Sequence, residues 1–400
     1  MPAPAFPTHR DENWRYANLR ALAKARIDAP PATSLPAPAL PAALAGYERC
    51  VFIDGRLSET LSQRAADSPA TLLSAREAGD AFTTLLDSDL ASAGVDFALA
   101  RINAARGDEV LHVALPDGAE AALELVFVAS AAAAAGTSYP RVQVLAGRHA
   151  KLRLVERHSS AGADSAVNAA VDIALRPHAL VEHVRVQSCS DSASVFDTLV
   201  AHVGESADYR LRTVTLGGAA TRSTAFVKLA GRGARCDFVA ASVAQGTQTH
   251  DTFAEIEHAA RATATRQVFR GIAGGRGKLA FNGKMIVRAD AHDADSDQSL
   301  KSLLNGSGAE AAARPQLEIY TDRVRAKHGA TTGKLDEQML FYLLSRGIDR
   351  TTAQGLLQWA FVEDAISRIE PVALRRDVES AIAGRLADVT ALSGLLGDSA

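Results

Sequence analysis

Short runs of alternating apolar and polar residues fill the middle of the chain. Between about Val110 and Tyr320, apolar positions two residues apart recur roughly every ten to fifteen residues, as half-buried β-strands require. Glycine pairs such as Gly217–Gly218 separate the runs, and several runs carry charge on one side, as at Lys151 and Arg153. The rhythm predicts a sandwich, a barrel or a β-helix, and strand spacing alone leaves all three open.

The pattern becomes helical after Gly333. The segment LDEQMLFYLLSRG predicts a helix of about three turns, with Leu340, Leu343 and Leu344 on one face. This helix ends at Gly347, where a left-handed cap is expected. A second helix begins near Asp349 and carries apolar residues at i, i+3, i+4 and i+7 until Pro371. A third helix has apolar residues at four-residue steps over 374–386. The carboxyl end is therefore expected to form a small helical module.

The amino-terminal part is mixed. The segment DENWRYANLRALAKARI, residues 11–27, predicts a short helix, and a Pro/Ala-rich linker follows because each proline removes a backbone donor and fixes its own φ. A short apolar piece lies at 50–53, and helical patterns cover 66–86 and 96–105. This part is expected to be a mainly helical entry segment.

Composition and charge narrow the functional classes. A chain of 400 residues with 47% hydrophobic and 22% charged content is typical of a folded globular protein, and a net charge of −3 argues against nucleic-acid or anionic-membrane partners. No apolar run has the length of a signal peptide or a membrane span. The widely spaced Cys50, Cys189 and Cys236 suit a reducing compartment. We therefore expect a cytoplasmic protein.

A search for catalytic or metal-binding motifs predicts neither. His250 and His258 have no further N, O or S ligands nearby in sequence, so we interpret them as ordinary strand and loop histidines. The acidic cluster over 290–297 lacks the central glycine and terminal glutamate of a calcium loop, and GIAGGRG, residues 271–277, lacks the Lys-Ser/Thr end of a phosphate loop. We interpret both as turns. The pattern favours a scaffold or assembly partner.

One long segment resembles a known family. PQLEIYTDRVRAKHGATTGKLDEQMLFYLLSRGIDRTTAQGLLQWAF, residues 315–361, strongly resembles the carboxyl-terminal signature of the SufB/SufD family of iron–sulfur cluster assembly proteins. The preceding segment that begins ATRQVFRGIAGG looks like the final β-helix coils of that family, and ENWRYANLR is similar to an amino-terminal motif on its SufD side. The resemblance is clear over 262–361 and diffuse over 110–260.

The resemblance implies a fold, partners and a function. It selects a right-handed parallel β-helix core, flanked by an amino-terminal helical segment and a carboxyl-terminal helical domain. It implies pairing with SufB-like subunits through the β-helix and binding of the ATPase SufC through the helical module, with a homodimer possible in isolation. The chain would be a non-catalytic scaffold subunit without a cofactor. The expected domains are 1–105, 106–325 and 326–400.

The resemblance also implies candidate site residues. His328 in KHGAT matches a histidine at the SufB–SufD interface, where nascent iron and sulfur are handled; the alternative is a histidine that closes a turn before Gly329. Family members often carry cysteine where this chain has Ala326, so structural support for a SufB-supplied site is implied. Trp359 and Phe361 fall where the family contacts SufC. Phe361 lies on the apolar stripe of its helix, whereas Trp359 lies off it.

Two other functions stay open on the sequence. One is a β-helix enzyme acting on polysaccharide, for which turnover of uronate or pectin-type polymers would be diagnostic. The other is a SufB-like cluster-binding subunit, which would gain visible absorption after reconstitution with iron and sulfide. The alanine at position 326 predicts a colourless protein instead.

Overall fold

The computed structural model describes residues 6–24, 39–65, 68, 71–73, 95–107, 110–130, 136–160 and 164–386. Two long sheets dominate these residues. The strands, in chain order, are β1 Glu48–Ile53, β2 Arg56–Leu57, β3 Thr71–Leu73, β4 Leu111–Leu115, β5 Glu120–Ala129, β6 Thr137–Ser138, β7 Arg141–Ala146, β8 Lys151–Ser160, β9 Ala166–Leu175, β10 Leu180–Gln187, β11 Ser194–Val203, β12 Asp208–Thr215, β13 Ala220–Leu229, β14 Arg235–Ala244, β15 Thr249–His258, β16 Ala264–Gly274, β17 Lys278–Val287, β18 Ala294–Asn305, β19 Glu310–Ile319 and β20 Val324–Gly333. The helices are α1 Leu19–Lys24, α2 Ala98–Arg106, α3 Glu337–Ser345, α4 Arg350–Ile366 and α5 Val372–Leu386.

From β7 to β20, successive strands alternate between the two sheets. Sheet A has the order β2-β1-β5-β8-β10-β12-β14-β16-β18-β20, and sheet B the order β19-β17-β15-β13-β11-β9-β7-β4-β3. Neighbours along the coils pair in parallel; for example, Leu180 lies opposite Asp208, and Asp208 lies opposite Arg235. A chain that returns to the same sheet after each coil, always in the same direction, is a parallel β-helix. The structure therefore confirms the β-helix with terminal helices and excludes the sandwich and the barrel.

The same corner recurs in successive coils, where the chain passes from a strand of sheet B to the next strand of sheet A. One residue of each corner has a left-handed backbone with φ between 53° and 71°. Its N–H donates to the carbonyl of the residue that precedes the equivalent position in the next coil, at 2.7–3.1 Å. A left-handed backbone costs a non-glycine residue roughly 1–2 kcal/mol, and the ladder of hydrogen bonds offsets this cost. The residues in this column are Gly118, His149, His178, Ser206, Gly233, Ala262 and Asp293.

Apolar side chains from alternate positions of both sheets fill the interior. One cluster of buried residues runs through most coils, from Phe52 in β1 to Leu300 in β18. Near its carboxyl-terminal end the rings of Phe269 and Phe281 face each other across the two sheets, with centroids 4.6 Å apart. Alternation along each strand thus divides the β-helix into a core face and an outer face, as the sequence pattern predicts.

The carboxyl-terminal helices pack on the outer face of sheet A. Val239 and Val268 point out of the sheet and pack against buried residues of α4 and α5, among them Val362 and Val378. The helix starts follow from their sequences, because Asp336 accepts hydrogen bonds from two backbone N–H groups of α3. Asp349 caps α4 in the same way, and Gly347 has the expected left-handed φ of 85°. The predicted helical module is confirmed and fixed to the β-helix.

The amino-terminal segment lies across the outer face of sheet B. The short helix expected over 11–27 is present in part: within the described residues, a 3₁₀ turn at Glu12–Trp14 and the short helix α1 are separated by a break. The reason is tertiary, because Trp14 is buried and its indole Nε1 donates to Asp96 at 2.9 Å. The guanidinium of Arg222 lies 4.3 Å from the Trp14 ring. These contacts attach the segment to the β-helix.

The remaining expectations vary in outcome. The predicted helix over 96–105 is present as α2. Much of the expected linker and of the helix over 66–86 lies outside the described residues, although Thr71–Leu73 is a strand. Only the end of GIAGGRG is a turn, since β16 continues to Gly274 and Gly275 has a left-handed φ of 64°. The domain bounds stay predictions; strands of sheet A occur from Glu48 to Gly333.

Candidate functional site

The last coil of the β-helix is open. In the part of the chain that the structure describes, β19 pairs only with β17, and β20 pairs only with β18. Each therefore has one edge whose backbone N–H and C=O groups have no strand partner there. Such an edge is a template for another strand. Because the two sheets stack face to face, this end of the molecule presents two parallel edges side by side.

The inward-facing side chains of this coil are also uncovered. In β18 the inward positions Gln298 and Leu300 are buried, but their partners in β20, His328 and Ala330, are exposed. Across from them, Leu317 of β19 is only partly buried against the core. No further coil follows β20 in the described residues. The open end therefore combines the free backbone edges of β19 and β20 with the uncovered inward-facing side chains of the last coil.

His328 lies in the middle of β20 and in register with Gln298. The alternative interpretation, a histidine that closes a turn before Gly329, is wrong because the strand continues to Gly333. Ala326, two residues earlier, faces the same way and lies opposite Ser296. No residue in the described ranges forms a hydrogen bond with the His328 ring. The imidazole is thus presented at the open end, and its role in cluster assembly stays a prediction.

Two buried glutamines continue the His328 column into the β-helix. Gln298 lies in register with Gln267 of β16, and its Nε2 donates to Gln267 Oε1. Both residues are at most 1% exposed. Space for the pair comes from Gly283 in the opposite sheet, where a Cβ would approach Gln298 Nε2 to 2.2 Å. Sequence reasoning missed this column, although glutamines 31 residues apart, about one coil, were its signal.

The helical module presents a second candidate surface. Trp359 and Phe361 of α4 are both partly buried and pack against the cluster between the helices and sheet A, so their role as SufC contacts stays a prediction. Three exposed large apolar residues lie together on α3, where Phe341 is 71% exposed and Met339 and Tyr342 are each 56% exposed. Sequence reasoning took Leu340 and its neighbours as the core face and overlooked these residues. Their signal was a helix that is apolar on all sides.

His250, His258 and the three cysteines are buried. His250 Nδ1 lies 2.9 Å from Ser242 Oγ, His258 Nδ1 lies 2.9 Å from Thr263 Oγ1, and burial lowers the pKa of each imidazole to about 4. Burial also raises the pKa of the Cys50 and Cys189 thiols to about 12 and that of Cys236 further. All three cysteines are free thiols. Within the described ranges, no three His, Cys, Asp or Glu side chains converge as metal ligands require.

Comparison with known families shows which family this β-helical chain belongs to. The family model described as "SUF system FeS cluster assembly, SufBD core domain" matches residues 127–361. The chain belongs to the SufBD family. The SufBD match begins in β5 and ends within α4, so it includes the open coil, His328, α3 and most of α4. None of the helices in the described SufBD chain has the length and apolar character to cross a bilayer.

Curated SufBD relatives match different shares of the chain. The iron–sulfur cluster assembly protein SufD of Escherichia coli is 25% identical over 387 residues, which cover 95% of this chain and 89% of that protein. A SufBD family protein of Synechocystis is 30% identical over 219 residues, which cover 54% of this chain and 48% of the relative. SufD of Plasmodium berghei is 26% identical over 242 residues, which cover 60% of this chain and 18% of that protein. The similarity to the bacterial SufD thus extends over almost the whole chain.

Proposed function

We propose that this SufBD-family chain is a non-catalytic scaffold subunit that pairs with a SufB-like subunit through its open coil. The observation that carries the proposal is the pair of long free parallel edges, β19 and β20, at the carboxyl-terminal end of the β-helix in the described residues. A partner with a similar coil could add a strand to each edge and continue both sheets. Strand addition provides backbone hydrogen bonds, and the side chains between the sheets provide specificity.

Burial of apolar surface supports the same pairing. Leu317 and Ala313 of β19 pack against the last buried core residues but remain partly exposed, and Ala330 of β20 is exposed. A second coil placed over them would extend the hydrophobic interior without a gap. Where a SufB-like partner is absent, a second copy of this chain offers the same edges, so a homodimer is the expected resting state.

His328 lies near the centre of the proposed interface. A neutral imidazole offers one nitrogen as an acceptor and one as a donor, and it is a common ligand of iron. The neighbouring inward position is Ala326, so this chain contributes no thiolate there. We infer that the partner supplies the sulfur ligands and that His328 assists from the opposite side. Iron and sulfur are then cargo of the assembled complex, and this subunit needs no cofactor of its own.

The helical module is the proposed docking site for a SufC-like ATPase. Its exposed face includes Phe341 and Tyr342, aromatic residues of the type that often dominate protein interfaces. The module is tied to sheet A by apolar packing and by ion pairs such as Arg270–Asp364, whose charged atoms are 2.8 Å apart. A force applied by an ATPase to the helices would thus reach the β-helix directly. The buried free thiols also support a cytoplasmic location.

Co-expression with SufB-like and SufC-like subunits tests the proposal. We expect one tagged subunit to recover all three, and Ala330→Lys to lose the SufB-like subunit because the added charge enters the apolar centre of the interface. Thr331→Lys is the matched control, since Thr331 lies next to Ala330 on the outward face of the same strand. Recovery of the partner by Ala330→Lys at the wild-type level would refute pairing through this end.

A further inference from the structure

The buried Gln298 amide has a polar atom with no partner. Its Nε2 donates to Gln267 Oε1, but its Oε1 is buried and has no hydrogen-bond partner among the residues that the structure describes. A buried carbonyl oxygen without a partner costs free energy, so native structures rarely leave one. The neighbour of Gln298 towards the open end is His328, in register on the adjacent strand.

The surroundings of Gln298 hold its amide in one place. Gln267 fixes one side of the amide, and the missing side chain of Gly283 leaves the space that the amide fills. Strands that pair in a sheet are about 4.8 Å apart, and residues opposite each other point to the same face. A change in the side-chain torsions of His328 alone therefore brings its ring within reach of the Gln298 oxygen.

We propose that Gln298 is a positioning residue for His328. Its Oε1 accepts a hydrogen bond from one ring N–H of His328, which fixes the tautomer and the orientation of the ring. The other ring nitrogen then carries a lone pair and faces the open end. There it can accept a hydrogen bond from the partner or bind a metal ion from the partner side. Only the contact of that lone pair with the partner side rests on the proposed function; the positioning of the ring by Gln298 does not.

The tautomer of His328 is measurable in the full-length chain. Long-range ¹H–¹⁵N correlation spectra of protein with ¹⁵N-labelled histidine rings report which nitrogen carries the proton, and His328→Gln identifies the signal. We expect one dominant tautomer in the wild type. Gln298→Leu should change the tautomer ratio by about fivefold, the worth of one hydrogen bond. Gln298→Glu keeps an acceptor oxygen and should preserve the wild-type protonated nitrogen.

Two further variants keep the test decisive. Ser302→Ala alters a buried inward side chain of the same strand away from His328 and should leave the ratio unchanged. If Gln298→Leu does not fold, Gln267→Leu releases the Gln298 amide and should shift the ratio in the same direction. An unchanged ratio in the folded Gln298 or Gln267 variant, or an equal shift in Ser302→Ala, would overturn the proposal.

Copurification with the SufB-like subunit separates this inference from the proposed function. If the tautomer depends on Gln298 but the wild type recovers no partner, the positioning role stands and the scaffold proposal fails. If the partner is recovered while the tautomer ignores Gln298, the scaffold proposal stands and the positioning role fails.

Discussion

His183 Nε2 lies 2.8 Å from Glu156 Oε1 in the interior of the β-helix, between strands of neighbouring coils. The second oxygen of Glu156 accepts from Arg185 Nε at 3.0 Å, and the other His183 nitrogen lies 3.0 Å from the Tyr209 hydroxyl. All four residues are at least nine-tenths buried. Although burial acts to raise the pKa of Glu156, Arg185 and His183 hold it well below its usual range. The carboxylate is therefore ionised and holds this polar cluster together.

Replacing the Glu156 carboxylate should destabilise the whole β-helix. Glu156→Gln removes one of the two carboxylate charges that compensate buried Arg185, the other being that of Asp197. We expect the free energy of unfolding in urea to fall by about 3 kcal/mol. The control is Glu182→Gln, which affects an ion pair between Glu182 and Arg210 on the solvent side of the same sheet. That pair should contribute less than about 1 kcal/mol. Equal losses in both variants would contradict the role given to Glu156.

The buried histidines predict that acid weakens the fold. His250 and His258 have pKa values near 4 in the folded protein because burial disfavours their charged forms. The unfolded chain binds a proton at each near pH 6.5, so stability falls as pH drops from about 6.5 to 4, by up to roughly 3 kcal/mol for each residue.

Urea titrations between pH 7.5 and pH 5 measure this slope. His250→Asn should flatten it, whereas His149→Asn, at an exposed corner of the β-helix, should not. A free energy of unfolding that stays constant over this range would show that the folded chain binds protons at these imidazoles as readily as the unfolded chain.

Trp14 should anchor the amino-terminal segment. The side chain is 1% exposed, hydrogen-bonded to Asp96 and stacked near Arg222, so Trp14→Ala should lower the free energy of unfolding by about 3–5 kcal/mol. Tyr16 is 38% exposed, and Tyr16→Ala should cost less than about 1 kcal/mol. Limited proteolysis after Lys24 should become faster only in the Trp14 variant. Equal protease resistance in both variants would argue that the segment is held elsewhere.

Phe341 should matter for binding and not for folding. Phe341→Ser should leave the melting temperature unchanged, because the ring is mainly exposed, and should weaken capture of the SufC-like ATPase at least tenfold. Gln338→Ser, on the same helix, is the control. A deletion of the module would be a poorer test because it would uncover Val239 and Val268 of sheet A. Undiminished capture by Phe341→Ser would exclude α3 from the ATPase interface.

Local alternation predicted the strands but not their neighbours. Leu211, Thr213 and Thr215 lie two residues apart on one face of β12, and Leu211 is buried in the interior. Period two reports which face is buried, yet it carries no information on which strand lies alongside, so the β-helix came from the family resemblance. Parallel register depends on the length of a whole coil, including its corners. For that reason the column of Gln267, Gln298 and His328 could not be read from spacing within a strand.

Single residues misled the prediction where tertiary contacts prevail. Gly329 follows His328 and indicates a turn locally, but pairing with β18 holds it in an extended strand. Helix-forming residues over 11–27 indicate one helix, but burial of Trp14 beside Asp96 favours a break. The apolar face of α3 was assigned from Leu340, which is buried, while Phe341 was left unconsidered. The family resemblance identified His328 from the sequence, whereas its neighbours Gln298 and Gln267 became apparent only in the folded structure.

The repeated left-handed corner has a consequence for assembly. Because the backbone N–H of His178 or Ser206 is tied to the following coil, each coil sits at a constant height above the last along that side of the molecule. The loops at this corner vary from four residues at 176–179 to six at 288–293, and the hydrogen-bond ladder persists across them. Because consecutive strands, β19 and β20, end the two sheets, the proposed partner could engage both strands in a single docking event.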